Sequence, residues 1–150
     1  MNAPESPALI AVGIDGSPSS AAALHEAAEL ARSLRTGLRV VTCWQVPQFY
    51  TADIELQDSA FKDDAQAAQD RLLDQVFPDG CPVPLERLLR RGRPGVELTE
   101  ASADARMLVL GNRGHNEFVS MLLGSVSLEC IAHAGVPVLT VRSDHHPSLT

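Results

Sequence analysis

The feature that most constrains this chain is a repeated pairing: short, mostly apolar runs without alternation, all but the last followed by a segment of helical period. Leu9-Ile10-Ala11-Val12-Gly13-Ile14 comes first. Leu38 to Trp44, Leu85 to Arg90, Met107 to Leu110 and Val136 to Val141 follow. An unalternating run fits a strand buried on both faces, the condition of a parallel sheet sandwiched by helices. Between the runs, Ser17 is a suitable N-cap and Pro18 suits the first position of a helix reaching about Leu34. Its apolar face is Leu24, Ala27, Ala28, Ala31 and Leu34, and Gly37 reads as its stop. A second helix is expected over about 55–77, with Phe61, Ala65, Ala68, Leu72 and Val76 as its buried stripe and Pro78-Asp79-Gly80 as its end. Gly92-Arg93-Pro94-Gly95 opens a third, and Gly135 stops a fourth. The charges in 85–90 mark that strand as less buried than the first. The expected order is β-α-β-α-β-α-β-α-β, which makes an α/β fold with a five-stranded, parallel, doubly wound sheet. Residues 1–7 and 143–150 are expected to be loose tails around one domain over 8–142.

In such sheets ligands bind beyond the carboxyl ends of the strands, where strand order switches. Asp15, Trp44 and Gly111 stand at such ends. The stretch opened by Gly111 is distinctive: GNRGHNEFVSMLLGSVS, a G-x2-G-x9-G-S pattern. Gly111 and Gly114 permit a sharp turn and a close approach to a ligand. Gly124, Ser125, Val126 and Ser127 open the last helix, whose first amides lack intrahelical partners and sit at the positive end of its dipole. With the hydroxyls of Ser125 and Ser127 nearby, a phosphate chain is the natural occupant. The plainer alternative is a turn followed by a capped helix.

Composition narrows the classes. A net charge of −7 offers no nucleic-acid footprint and no basic membrane patch. No apolar run is long enough to span a bilayer, and the first residues lack the basic and apolar regions of a secretory signal. Cys43, Cys81 and Cys130 are odd in number and widely spaced, against a disulfide framework or a C-x-x-C site. Cytoplasmic location is the expectation. No Walker-type lysine, nucleophile elbow or H-E-x-x-H is present, so the site reads as one for binding rather than hydrolysis, and no catalytic residue is assigned. Arg113 is either a bidentate phosphate partner or a solvent-facing loop residue. Phe118, Val119, Met121, Leu122 and Leu123 form an apolar cluster suited to a lid or to docking a partner. His145-His146 has no third metal ligand nearby in sequence.

The chain resembles the universal stress protein family over roughly residues 8–142. The resemblance rests on Gly111, Gly114, Gly124 and Ser125, on VGIDGSPSS at 12–20, RGRP at 91–94, GSVS at 124–127 and VPVLTV at 136–141. It implies the same five-stranded fold, ATP as ligand, and a homodimer paired through the last strand, 136–141. By the resemblance, Asp15 contacts the adenine or ribose edge, and Gly13 and Ile14 before it belong to the cofactor-binding set. Gly111, Asn112, Arg113 and Gly114 lie along ribose and α-phosphate. Gly124, Ser125, Val126 and Ser127 hold the outer phosphates. Mg2+ is a possible companion of the phosphates, with Asp15 reaching it through bound water. The family places a small aliphatic residue near the base at the end of the second strand; Trp44 is read there, either stacking on the base or narrowing the pocket. The implied function is a nucleotide-responsive stress or regulatory module with a regulatory protein partner of unknown identity. The alternatives are a slow ATPase or adenylyl-transferring enzyme, and a structural dimer that no longer binds nucleotide.

Overall fold

The computed structural model describes residues 8–46, 54–112 and 123–143, and the side chains of 54–57 are left aside. The elements are β1 (Ile10–Gly13), α1 (Pro18–Ser33), β2 (Leu38–Trp44), α2 (Ile54–Val76), β3 (Leu85–Arg91), α3 (Pro94–Ala101), β4 (Met107–Gly111), α4 (Ser125–His133) and β5 (Val138–Val141). The strands pair in parallel in the order β3-β2-β1-β4-β5. Chain order reverses between β1 and β4, so the switch point opens between their carboxyl ends.

Alternate residues of each strand feed two cores. Ile10, Val12, Leu38, Val40 and Val109 pack against α1 and α2 through Leu24, Ala27, Leu72 and Leu73. Ala11, Val41, Leu108 and Leu110 pack against α3 and α4 through Leu98, Ala101 and Cys130. Every residue of β1 is buried, as a central parallel strand requires. β3 is an edge strand whose charged side chains explain its mixed burial. Arg87 pairs with Asp70 of α2, and Arg90 with Glu97 and Glu100 of α3. Charges on an exposed edge also discourage pairing with a foreign strand.

Three local expectations change. Gly37 does not end α1. Arg35 does, at φ 55, with the Thr36 amide donating to the Ala31 carbonyl and the Arg35 amide to the Arg32 carbonyl. This is a Schellman ending with arginine in the left-handed position usually held by glycine. Gly37 instead lets Leu9 and Pro84 approach, because a Cβ there would lie 2.7 Å from Leu9 Cδ2. Leu34, the C-cap, is exposed rather than part of the buried face. The stripe of α2 is centred on Leu72 and Leu73 and includes buried Gln69, whose carboxamide nitrogen donates to Thr42 Oγ1 at 3.1 Å and to the Leu88 carbonyl at 3.2 Å.

Candidate functional site

A cavity of about 500 Å³ lies at the switch point. The β1–α1 turn forms one wall, with Gly13, Ile14, Asp15, Ser17 and Ser20. This turn is shaped by its own hydrogen bonds. The Ser17 amide donates to Asp15 Oδ1 at 2.9 Å, an Asx turn made possible by Gly16 at φ 83. Ser17 caps α1 by accepting from the Ser20 amide at 3.2 Å, and Ser20 Oγ donates to the Ser17 carbonyl at 3.1 Å. The Asp15 side chain is exposed at the cavity mouth.

The opposite wall is the opening of α4, with Gly124, Ser125, Val126 and Ser127. Gly124 is the N-cap and supplies no side-chain cap, so this positive end of the helix dipole faces the cavity. Ser127 is buried and its hydroxyl donates to the Gly111 carbonyl at 2.9 Å, which fixes α4 to the end of β4. Ser125 is the exposed hydroxyl of the pair. The Gly124 amide donates to the Asn112 carbonyl at 2.7 Å, so the two ends of the glycine stretch meet.

The floor is apolar: Val41 and Cys43 of β2, Leu98 of α3 and Leu110 of β4. Gln45 and Pro94 complete the rim. Burial, with Glu97 adding to it, pushes the Cys43 thiol up to about 12, so it stands here as a small neutral side chain. Asp15 is the one formally charged residue among the described lining residues.

Of the residues expected from the sequence, Gly13, Ile14, Asp15, Gly111, Gly124, Ser125, Val126 and Ser127 come together here. Asn112 is buried beside them, its amide donating to the Val141 carbonyl at 2.9 Å, and does not line the cavity. Arg113 and Gly114 lie outside the described residues, as do Phe118, Val119, Met121 and Leu122. Trp44 is the correction. Strand alternation turns it away from the cavity, with Arg91 over its ring at 5.8 Å, and Cys43 occupies the wall instead. Neighbouring residues in a strand face opposite ways, so an error of one position exchanges the two faces. Gly111 also has a packing reason for being glycine: a Cβ would lie 2.5 Å from Ser19 Oγ and 2.7 Å from the Ser19 carbonyl carbon.

The sequence reading missed Ser17 and Ser20 as lining residues, although their roles in the turn were legible. It also missed Pro94 and Leu98, brought in by α3 from a distant part of the chain. A second, smaller cavity of about 160 Å³ lies behind Asp15, against Thr42, Ala65, Ala68 and Gln69. Among the described residues no helix is long and apolar enough to cross a membrane.

A profile of the Universal stress protein family matches residues 9–142. Universal stress protein Rv2005c of Mycobacterium tuberculosis is 33% identical over 141 residues, covering 90% of this chain and 45% of the relative. The chain thus spans under half the length of such curated relatives. Among solved structures, a universal stress protein in complex with cAMP is 24% identical, with a TM-score of 0.69, covering 93% of this chain and all of the other. A universal stress protein family protein from Arabidopsis thaliana with AMP bound is 19% identical, with a TM-score of 0.63, covering 93% and 94%. Sequence profile, curated relatives and fold agree: this chain belongs to the universal stress protein family.

Proposed function

We propose that this domain binds an adenine nucleotide, ATP, and serves as a nucleotide-responsive regulatory module. The observation that carries the reading is the two-ended cavity. Its apolar floor of Val41, Cys43, Leu98 and Leu110 suits the face of a base, and the α4 opening at Gly124–Ser127 suits phosphates. Asp15 also lines the cavity, and a carboxylate is the type of acceptor that an exocyclic amine or a ribose hydroxyl donates to. A volume of about 500 Å³ matches a ligand of this size. Similar folds solved with cAMP and AMP support the class of ligand. Binding rather than turnover fits the lining, where the one carboxylate among the described lining residues already accepts from the Ser17 amide. Occupancy would act on a partner through differential affinity of the nucleotide for two states of the domain.

The test is direct. Freshly purified protein is denatured, and released nucleotide is identified by chromatography and compared with the Gly124→Val variant. Gly124 has φ −75 and ψ 165, a conformation any residue adopts, so the variant should fold. ATP near one per chain in the parent and none in the variant is expected. Equal binding by both would remove Gly124 from the site. The same reading includes a homodimer through β5, an edge strand on which Leu139 is exposed. Light scattering that gives a monomer at micromolar concentration would refute it.

A further inference from the structure

Among the described residues, the proposed phosphate end is short of positive charge. The chain carries −7, and the one charged residue among the described lining residues is Asp15. A polyphosphate there is helped by the α4 dipole, which amounts to a fraction of a charge and does not offset several negative charges. A described cation tied to that end is Arg93. It is the N-cap of α3, next to the lining residue Pro94, and its guanidinium reaches across to α4, where Nη2 donates to Glu129 Oε1 at 2.6 Å. Glu129 and Ser125 are i and i+4 on one helix face, about 6 Å apart along the axis. Side chains on a helix lean toward its N-terminus, so the Glu129 carboxylate leans back toward Ser125. The guanidinium is therefore held about one turn from the helix opening. Its tether is weak: the Arg93 side chain is 66% exposed, and exposed ion pairs contribute little.

We propose that Arg93 is a phosphate-responsive arm of this site, parked on Glu129 and transferred to the outer phosphates of a bound nucleotide. This rests on the nucleotide reading given above and adds to it a basis for counting phosphates. Guanidinium-to-phosphate contacts are charge-assisted and often bidentate, and exceed a solvated ion pair in strength. Only a ligand with phosphates beyond the first draws the arm across. Because Arg93 caps α3 and Glu129 belongs to α4, its transfer also releases a contact between two helices packed closely at Gly95 and Cys130.

The test is calorimetric titration of the full chain with adenosine, AMP and ATP, in parent, Arg93→Gln and Glu129→Gln. Arg93 is exposed and Glu129 half-buried, and circular dichroism verifies folding. In Arg93→Gln, ATP affinity should fall about tenfold, the worth of one charge-assisted contact, while adenosine and AMP change less than about twofold. In Glu129→Gln, which removes the competitor and one negative charge, ATP affinity should rise severalfold with adenosine unchanged. An ATP-to-AMP ratio that is the same in all three proteins overturns the arm while leaving the nucleotide site standing. A parallel loss for all three ligands in Arg93→Gln also overturns it, since that marks a merely structural role. A parent that binds none of the ligands overturns the nucleotide reading and the arm together.

Discussion

Gly111→Ala separates the packing role of the glycine stretch from its ligand role. Gly111 ends β4, where the strand passes under the first turn of α1. An added Cβ would lie 2.5 Å from Ser19 Oγ, 2.7 Å from the Ser19 carbonyl carbon and 2.8 Å from its oxygen. The hydroxyl can rotate away, but the backbone carbonyl cannot. Ser17 caps this turn, Ser19 and Ser20 are buried, and Ser20 is bonded back to Ser17, so α1 has no slack to retreat. Forcing a methyl into such a contact costs about 1–3 kcal/mol, and the upper half of that range, ~2–3 kcal/mol, applies where backbone must move. For a chain of this size that lowers the melting temperature by roughly 5–10 °C. Thermal melts and urea titrations followed by circular dichroism, without nucleotide, measure it. Gly135→Ala is the control, since a Cβ there meets nothing within 4 Å. A Gly111→Ala protein within ~0.5 kcal/mol of the parent, the scatter of ordinary surface changes, would refute the packing argument.

Other expectations follow from single contacts. Gln69→Leu removes the bridge from α2 to Thr42 and Leu88, and should cost about 1–2 kcal/mol in urea titration. Burial raises the thiols of Cys43 and Cys130, so iodoacetamide at about pH 8 should leave both unmodified in the native protein and modify both in denaturant, as read by mass spectrometry. Asp104 is bonded to Arg39, which holds its carboxyl below the ordinary value of 3.8. Its contribution is therefore present above that value and lost as pH falls through the lower folded one; the stability gap between parent and Asp104→Asn should be full near neutrality and close in acid. Trp44→Phe should leave nucleotide affinity within about twofold of the parent, whereas Cys43→Trp should abolish binding, because only the second fills the cavity.

The fold was legible because parallel strands buried on both faces must be nearly all apolar, and β1 and β4 are so complete in this respect that no other reading competes. Capping was legible where chemistry is local: Ser17 and Pro18 announce α1 whatever the rest of the chain does. The end of α1 was not. Arg35 takes the left-handed position that residue statistics give to Gly37, because Gly37 is needed two residues later for the approach of Leu9 and Pro84. Gln69 was hidden for a similar reason. A polar residue on a helix reads as solvated until its partners, Thr42 and the Leu88 carbonyl, are placed by the sheet.

At the site the same division between local and global information recurs. Glycine and hydroxyl residues of the β1–α1 turn and the α4 opening declare themselves by type, and the structure gathers them around one cavity. The second strand offers only a choice of parity. Both Cys43 and Trp44 are at its end, and the resemblance alone, which points to the strand's end, does not choose between the two faces. Register decides: Val41 pairs with Leu88 and Gly13 and faces the α3–α4 side, so Cys43, two residues on, faces it too, and Trp44 does not. The bulk expected from Trp44 is therefore absent from the cavity. A thiol, neutral through burial, occupies the position where bulk would have closed the cavity, and the indole lies against Arg91 on the edge strand.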